Sequence, residues 1–564
     1  MNRGHSPLAT FTRAFRRIPD FALLLVEVVA LVAVVAASAV AWKNWPAVPL
    51  ADLDTWGYLN PSLSWLDGLG FQQTDGRDWL YPALLALFLK TTGSFGGIVL
   101  WQRALSVLSG ALMGITWRCW VSMLPLNRWL RFSISLLGLL PIGLQLTSPQ
   151  SMAYVMGLRP EAVLVCFVYA QLACLVGYCK YRWHTPRELP SLLLGVGALF
   201  FAYACFVLKP SWLGASLATS LPVLVGCLGN AISLKTRLSA VSLGILVALL
   251  ALWMPARKLL IRDAESVTLL PDALFCVHAP LIVNCFEARL ATLPVSDPDK
   301  AKLSALLGVV KSELNASKHV RGVYEKLGFD PDYLMHNATL TAAIRDYTGD
   351  DDQRFSAFCI RSYRDAVAYD PVAYARKVII QSTYFFFPKP KDFWVDKLDL
   401  AKAYKASPES IDPECQSRFH GRVRQMFAQY LADETAVAGP ELTLGKKLGK
   451  RHFMGLAASI LPVEIVFFAA LLGAILWPPL SPLRVSGLAA LMLFLAPLSN
   501  AMTVCMVHAL DIDRYRFTYS GFLMFALAAM AIYMVAVFTG IIRYFAAAFA
   551  NRCRDDRREP KEAR

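Results

Sequence analysis

Acidic side chains stand among aromatic residues and glycines in the segment 51–83, ADLDTWGYLNPSLSWLDGLGFQQTDGRDWLYPA, which lies between two apolar stretches. A carboxylate beside an apolar surface can have a raised pKa and act as a general base. Ionisable groups at a membrane boundary are costly to place there, so they mark candidate functional sites. We therefore expect Asp54 and Asp52 to be catalytic. The alternative to a catalytic role is a solvated side chain in a loop. For Asp54 a second alternative is the N-cap of a short helix.

One strong base, Arg77, lies in the same segment. An arginine near a membrane interface can hold a phosphate group through forked hydrogen bonds. The alternative is an ion pair with Asp75 or Asp78, its neighbours in the sequence.

Two later loops carry further ionisable residues beside apolar segments. Arg159 and Glu161 lie in GLRPEAV, where one apolar segment begins, and Lys209 lies in VLKPSW, where the next one ends. We expect all three at the same membrane boundary as the segment 51–83. An ion pair within the loop is the alternative for the first two. For Lys209 the alternative is a side chain that extends along apolar surface to reach water.

The segment HALDIDRYRFTYSGF contributes His508, Asp513, Arg514 and Arg516. Arginines are disfavoured in loops that face away from the cytoplasm, so something should offset their cost, and an anionic ligand would do so. The acids and bases of these separate loops could converge on one outward-facing cavity. There the bases would bind an anionic lipid-linked ligand, and an aspartate would activate an acceptor hydroxyl.

The elements that position these residues are membrane helices. Of the 564 residues, 56% are hydrophobic and only 17% are charged, whereas about a quarter of a soluble domain is charged. The net charge of +15 suits cytoplasmic loops and anionic lipids. No basic run with interleaved aromatic residues indicates a nucleic acid partner.

Ten apolar segments are predicted to cross the membrane, because about 20 helical residues span a hydrocarbon core of about 30 Å. They lie at 21–42, 96–123, 132–147, 162–178, 192–208, 212–228, 238–255, 455–477, 485–507 and 521–542. The shorter stretch 81–90 is typical of an interfacial helix. We expect an all-α polytopic membrane protein with about ten transmembrane helices.

The region 256–452 is polar, and its apolar residues recur at spacings of three and four, which predicts a mainly helical domain. It lies between the seventh and eighth predicted spans. Its four cysteines are Cys276, Cys285, Cys359 and Cys415. None has the CxxC spacing of a zinc site. One or two disulfides are expected among them if the domain faces an oxidising compartment.

Clusters of Lys and Arg occur at the N-terminus, after the second, fourth and sixth spans, at Arg484 and in the tail. By the positive-inside rule these places are cytoplasmic. The candidate loops and the polar domain then face the opposite side, which is the periplasm for a bacterial inner membrane. The predicted parts are a membrane domain 1–255 with the first external loop 43–82, a periplasmic domain 256–452, a membrane domain 453–545 and a cytoplasmic tail 546–564.

This arrangement resembles the GT-C superfamily of membrane glycosyltransferases, which includes protein O-mannosyltransferases, the aminoarabinose transferase of lipid A and the mycobacterial arabinosyltransferases. Asp54 and Tyr58 are similar to the acidic motif of the family's first external loop. The second acid of that motif is missing, because Thr55 stands in its place, and Asp52 could substitute for it. The later elements that resemble the family are Arg77, Tyr81-Pro82, Arg159-Pro160-Glu161 and Asp513-Arg514-Tyr515-Arg516.

The resemblance covers 20–255 and 453–545, and it implies inverting transfer of a sugar from a polyprenyl-phosphate donor to a hydroxyl of a glycan, lipid or protein in the cell envelope. Asp54 would take the acceptor's proton. The residues expected to bind the donor phosphate or substrate are Arg77, Tyr58, Tyr81, Arg159, Glu161, Lys209, His508, Asp513, Arg514 and Arg516. No cofactor is predicted. Some family members bind a divalent cation, but no cluster of ligands in the sequence specifies a metal site.

Three other classes of function remain open. A polysaccharide polymerase or ligase of another fold would need arginine-rich external loops, whereas the first loop here is rich in acids. A lipid-linked sugar flippase or transporter should show inverted halves and broken helices with charges at the membrane midplane, whereas the two halves here are unlike. A receptor or scaffold built on 256–452 would leave the acid-rich loop unexplained.

Overall fold

The computed structural model of the protein describes residues 19–43, 45–71, 77–228, 269–319, 324–386, 400–407, 415–437, 450–507 and 512–555. Within these ranges the secondary structure is helical, with one isolated parallel bridge between Leu50 and Gly157. The expectation of an all-α protein is therefore confirmed for the described part of the chain.

The first part of the chain builds a helical bundle. Its helices are α1 (Asp20–Ala41), α2 (Thr55–Leu66), α3 (Leu80–Thr92), α4 (Gly96–Val121), α5 (Arg128–Leu137), α6 (Leu139–Thr147), α7 (Pro149–Met156), α8 (Glu161–Cys179), α9 (Glu188–Leu208) and α10 (Leu213–Leu228). Helix α8 is apolar on all sides because it lies at the centre of the bundle, between α4 and α9. Most of α1 is exposed, as expected of a helix that faces lipid.

The second part begins at residue 269. Its helices are α11 (Leu270–Val277), α12 (Ala279–Thr292), α13 (Pro298–Ala316), α14 (Pro331–Met335), α15 (Ala338–Thr348), α16 (Asp352–Tyr369), α17 (Pro371–Phe386), α18 (Leu400–Ala406), α19 (Cys415–Arg418), α20 (Gly421–Val437), α21 (Lys450–Leu476), α22 (Arg484–Val507) and α23 (Ile512–Asp555).

Seven helices of the described residues are long and apolar enough to cross a membrane. They are Asp20–Val40, Gly96–Val121, Arg128–Thr147, Glu161–His184, Glu188–Leu208, Pro478–Val507 and Thr518–Arg552. These match the predicted spans one to five, nine and ten. The sixth predicted span is the 16-residue α10 and the eighth is α21, whereas the seventh, 238–255, lies outside the described residues.

The region predicted as one polar domain has two structural parts. Helices α11 to α16 share a core of their own, centred on residues such as Phe275, Val310 and Ile344, whereas the buried side chains of α17 join the core of the membrane part. Helices α11 and α12 meet at an angle of 76° and are together apolar enough to form a broken span or a re-entrant loop. Helix α20 instead joins the core of the membrane part, where Tyr430 stacks on Phe95 with ring centroids 4.4 Å apart.

The predicted disulfides do not form among the three cysteines whose side chains are described. Cys276, Cys285 and Cys359 are free thiols. Cys276 donates a hydrogen bond to Asp272 at 3.3 Å. Burial raises the pKa of Cys359, so its thiol stays protonated and is a poor nucleophile. These cysteines act as small apolar core residues, and the side chain of Cys415 lies outside the described part.

Candidate functional site

A parallel bridge brings two of the candidate loops together. The amide of Leu50 donates to the carbonyl of Met156 at 2.8 Å, and the amide of Leu158 donates to the carbonyl of Leu50 at 3.0 Å. The segment before α2 therefore runs beside the segment before α8. Asp52 and Arg159 follow directly in these segments, and their side chains form an ion pair.

The polar region between the membrane parts holds the same segment from the other side. Tyr404 and Tyr430 donate hydrogen bonds to backbone carbonyls of residues 48–51, at 2.5 and 3.3 Å. Ser407 accepts a hydrogen bond from a backbone amide of this segment at 2.7 Å. Ser407 and Tyr430 both donate to the carboxylate of Glu434. We call Tyr404, Ser407, Tyr430 and Glu434 the clamp, because they fix the backbone that leads to Asp52 and Asp54.

The two aspartates have different local roles. Asp52 accepts hydrogen bonds from the amide of Asp54 at 2.9 Å and from the hydroxyl of Thr55 at 3.4 Å, so it closes the turn before α2. Asp54 occupies the N-cap position of α2, but its side chain makes no capping hydrogen bond. The carboxylate of Asp54 is directed to basic side chains instead, which argues against a purely capping role.

Asp54 lies among three guanidinium groups. Its carboxylate oxygens are 2.6 Å from Arg77, 3.0 Å from Arg514 and 3.7 Å from Arg159. Burial alone would raise the pKa of Asp54, but the three positive charges outweigh burial, and the pKa lies below its ordinary value. Asp54 is therefore ionised at neutral pH.

A second carboxylate, Glu161, lies deeper in the bundle. Glu161 begins α8, and only 2% of its side chain is exposed. Its oxygen is 2.5 Å from the amine of Lys209, which follows the last residue of α9, and 3.0 Å from Arg514. Burial lowers the pKa of Lys209 to about 8, against the opposing effect of the Glu161 charge. Arg514 contacts both Asp54 and Glu161 and so joins the two halves of the site.

Aromatic rings support the basic groups. Arg77 lies 5.0 Å from the centroid of the Tyr58 ring, which in turn packs edge-on against Tyr81. Lys209 lies 4.3 Å from the centroid of the Tyr515 ring. Burial raises the pKa of both Tyr58 and Tyr81, so these phenols stay protonated. Such cation–π contacts retain charge where water is excluded.

We call the charged residues that these contacts join the ionic network: Asp52, Asp54, Arg77, Arg159, Glu161, Lys209 and Arg514. It contains three carboxylates and four bases. Four bases held together at one partly buried place are suited to binding an anion such as a phosphate.

The structure decides between several alternatives that the sequence left open. Arg159 pairs across the site with Asp52 rather than with Glu161 in its own loop. Lys209 is buried against Glu161 and does not extend to water. Arg77 contacts Asp54, and Asp75, one of its two alternative partners, lies outside the described residues.

The segment 508–516 is described only in part. His508 lies outside the described residues, as do the side chains of Asp513 and Arg516. Their proposed roles stay predictions. Among the described residues, no group of three or more histidine, cysteine, aspartate or glutamate side chains could hold a metal ion.

Sequence reasoning missed the clamp, and it named Tyr515 only within the segment 513–516, without a role in the site. The clamp residues stand in a polar region where serine, tyrosine and glutamate are common, so nothing in the sequence distinguishes them. Tyr515 could have been identified, since it stands next to Arg514 in the segment already considered functional.

No family model matches the chain, and no curated protein is significantly similar to it in sequence. Two similar solved structures are crystal structures of ArnT from Cupriavidus metallidurans, each matched over 88% of this chain and 77% of the ArnT chain. The structure bound to undecaprenyl phosphate has 12% identity and a TM-score of 0.31, and the apo structure has 13% and 0.27. Similarity this low does not establish a shared fold or function.

Proposed function

We propose that the protein is an inverting glycosyltransferase, which moves a sugar from a polyprenyl-phosphate donor to an acceptor hydroxyl at one membrane boundary. One observation carries this proposal: Asp54, a carboxylate able to accept a proton, lies within 4 Å of three arginines. A glycosyl transfer from a lipid phosphate needs a base and a phosphate site side by side.

The network lies where membrane helices begin and end, which suits a lipid-linked donor. Glu161 begins α8, Lys209 follows the end of α9, and Arg514 lies in the first turn of α23. A phosphate attached to a polyprenyl chain would reach this level while its chain stays among lipids. The proposed location is the periplasmic side of a bacterial inner membrane, with a glycan, lipid or protein as acceptor.

In the proposed reaction, the oxygen of the acceptor hydroxyl attacks the anomeric carbon of the sugar from the side opposite the phosphate. A bond from that carbon to the acceptor oxygen forms as the bond to the phosphate oxygen breaks. The electron pair of the broken bond leaves with the phosphate, and the acceptor's proton passes to the carboxylate of Asp54. The products are the glycosylated acceptor and the polyprenyl phosphate.

The charge of the network changes in step with the charge of the reactants. A polyprenyl-phosphate sugar is a phosphodiester with one negative charge. After transfer the lipid phosphate is a monoester, whose second pKa is about 6, so it carries nearly two negative charges at neutral pH. Protonation of Asp54 removes one negative charge from the network at the same step. The network therefore becomes more positive as the leaving phosphate becomes more negative, which stabilises the products of the step.

Asp54 is a weak base in this arrangement, because three guanidinium groups keep its pKa low despite its burial. A bound phosphate would draw hydrogen bonds from Arg77, Arg159 or Arg514. The carboxylate of Asp54 would then lose part of its stabilisation, and its pKa would rise. Donor binding would in this way prepare the base for the acceptor.

The proposal is tested in a deletion strain of the source organism, complemented with the wild type, with Asp54→Asn or with Asp67→Asn. Asp67 is a matched control, because it is an aspartate of the same segment that hydrogen bonds to the amide of His420 rather than to arginines. The readout is mass spectrometry of the envelope glycans, lipids and proteins.

We expect a sugar-sized mass to be lost on deletion and restored by the wild type and by Asp67→Asn. Asp54→Asn should lower transfer by about 10² to 10⁴, the usual contribution of a general base. Full restoration by Asp54→Asn would remove Asp54 from the mechanism. If no glycan changed on deletion while lipid-linked sugars accumulated on one side of the membrane, the protein would be a flippase instead.

A further inference from the structure

A cavity lies beside the ionic network, inside the helical bundle. It holds about 870 Å³ of space, part of it open to solvent, between α4, α6, α7, α8 and α23. Hydroxyl and amide groups project into it, although its walls belong to apolar helices. Among them are Ser106, Ser109, Gln145, Ser151, Tyr154 and Thr518. Polar side chains within membrane helices are costly, so their concentration at one cavity indicates a polar occupant.

The charge of the cavity distinguishes it from the network. Glu161 is the one charged side chain among the described residues that line it, and Glu161 already faces Lys209 and Arg514. A phosphate would meet no positive charge in the cavity and would lose its hydration. A neutral group with several hydroxyls would exchange hydrogen bonds with water for hydrogen bonds with the walls.

The hydrogen bonds already made by the walls indicate which groups a ligand should bring. Ser109 and Thr518 donate their hydroxyl hydrogens to backbone carbonyls of their own helices, at 2.7 and 3.3 Å. Tyr154 donates its hydrogen to the carbonyl of Arg514 at 2.9 Å. The oxygens of these three groups keep lone pairs that can accept further hydrogen bonds. The cavity therefore suits a ligand rich in hydroxyl donors.

Arg514 connects the cavity to the network. Its guanidinium group contacts Asp54 and Glu161, while its backbone carbonyl accepts the hydrogen bonds of Tyr154 and Thr518. A ligand that spans both places would have its anionic group at the guanidinium and its hydroxylated group on the cavity side of Arg514.

Gly521 makes room for one of the polar wall groups. A Cβ atom at this position would lie 2.2 Å from the side-chain oxygen of Gln145. Only a residue without a side chain lets the Gln145 amide approach α23 this closely. The polar wall thus continues from α6 to α23 without an apolar side chain between them.

We propose that this cavity is the sugar subsite, which receives the sugar of the lipid-linked donor while the ionic network binds the phosphate. The assignment rests on the proposed function and adds the part of the site that selects the sugar. Ser109 and Thr518 are specificity-determining residues in this assignment.

The test measures binding rather than turnover. Purified full-length protein in lipid nanodiscs is loaded with a fluorescent undecaprenyl phosphate analogue. The analogue is then displaced by plain undecaprenyl phosphate or by a panel of undecaprenyl-phosphate monosaccharides that includes arabinosyl, aminoarabinosyl and mannosyl forms. The dissociation constant of plain undecaprenyl phosphate is divided by that of the glycosylated lipid that binds most tightly. This ratio reports how much the sugar contributes to binding.

The variants are Ser109→Ala and Thr518→Val, which remove one hydroxyl each with little change of shape. Thr539→Val is the matched control, because Thr539 lies on the same helix as Thr518, also donates to the carbonyl four residues before it, and does not line the cavity. Melting temperatures establish that each variant is folded. If one of the two cavity variants does not fold, the other still tests the assignment.

We expect the wild type to prefer one glycosylated lipid, and each cavity variant to reduce that preference by about two- to tenfold, the usual effect of one hydrogen bond. Affinity for plain undecaprenyl phosphate should change by less than twofold, and Thr539→Val should match the wild type. A preference that survives in both cavity variants would overturn the sugar subsite and leave the proposed function intact. A wild type that binds neither kind of lipid would overturn the proposed function, and the subsite with it.

Discussion

Lys209 is buried and Lys377 is partly buried, but only Lys209 lies against a carboxylate among the residues that the structure describes. The amine of Lys209 is 2.5 Å from Glu161. The amine of Lys377 donates to the carbonyl of Cys505 at 2.9 Å and lies 3.2 Å from Nε2 of His278. Burial lowers the pKa of both lysines, to about 8 for Lys209 and to about 7 for Lys377.

The surroundings of Lys377 are those of a neutral donor. Nδ1 of His278 lies 2.8 Å from the carbonyl of Leu274, so this nitrogen carries the hydrogen and Nε2 is free to accept one from Lys377. The rings of Tyr363 and Tyr374 cover the imidazole. Lys377 thus joins α17 to the end of α22 through hydrogen bonds, and none of its contacts with described residues is to a carboxylate.

The comparison shows that burial alone does not identify a functional charge. A lysine that must stay charged is given a carboxylate, as Lys209 is in the ionic network. A lysine that needs only to donate hydrogen bonds can lose its proton, as Lys377 does near neutral pH. Under the proposed function, the site is the part of the described residues where charges are retained in opposed pairs.

The largest effect is expected from Glu161→Gln, which leaves the charge of Lys209 buried without its carboxylate, whereas Arg514 still contacts Asp54. Breaking a buried ion pair on one side costs about 3–5 kcal/mol, because the remaining charge loses its partner without regaining water. We expect a large fall in melting temperature and loss of transfer. Thermal unfolding in detergent and the glycan assay measure the two effects.

The double variant Glu161→Gln/Lys209→Met separates stability from function. Removing both charges should restore most of the melting temperature, because one uncompensated charge is gone. Transfer should stay absent, because the network has lost part of its phosphate site. If the double variant were as unstable as Glu161→Gln, the pair would not be the cause of the loss.

A smaller effect of opposite sign is expected from Lys377→Met. The folded pKa of about 7 lies below the ordinary value for lysine of 10.5. Between pH 7 and pH 10, Lys377 therefore binds a proton more readily in the unfolded chain than in the folded protein. Because of this difference, the free energy of unfolding of the wild type rises as pH rises from about 7 to about 10. Lys377→Met lacks this dependence and should be more stable at pH 7, by about 1–3 kcal/mol after its lost hydrogen bonds are counted.

Melting temperatures at pH 7, 8 and 9 test this prediction, with Lys326→Met as the control for an exposed lysine. The gap between Lys377→Met and the wild type should shrink as pH rises, and Lys326→Met should follow the wild type throughout. A Lys377→Met variant less stable than the wild type at pH 7 would mean that the amine is charged and stabilising, as in the network.

The sequence was informative where charge is rare. Arg159, Glu161, Lys209 and Arg514 stand next to long apolar stretches, so each was conspicuous, and the structure places all four in one network. The membrane helices that position them were predictable for the same reason, since apolar length is a local property of the chain.

The pairing of those charges was not predictable. Arg159 is 107 residues from Asp52, and Arg514 is 460 residues from Asp54. Loop composition favoured neighbours in sequence, whereas the parallel bridge at Leu50 decides which loops meet. The division of 256–452 was equally hidden, because the clamp helices have the same polar composition as the helices with their own core.

The smallest effect is expected from Glu434→Gln, although the substitution is the same as at Glu161. Glu434 is fully buried, yet its described partners are the hydroxyls of Ser407 and Tyr430 rather than a base. Burial raises the pKa of Glu434, and the two hydroxyl donors only partly oppose this shift. Glu434 is the acidic counterpart of Lys377, since its environment favours the neutral form.

Glutamine keeps a carbonyl oxygen that accepts from both hydroxyls, so Glu434→Gln should change the free energy of unfolding by less than about 1 kcal/mol at pH 7. The sign of the pH dependence follows from the raised pKa. The wild type should lose stability as pH rises above the ordinary glutamate value, and Glu434→Gln should not. Unfolding from pH 5 to 8 measures this difference, and transfer activity shows whether the clamp still holds the backbone before Asp54. A loss of stability as large as that of Glu161→Gln would show that Glu434 is ionised and paired with a base. The contrast between the charged network and the neutral surroundings of Lys377 and Glu434 would then be wrong.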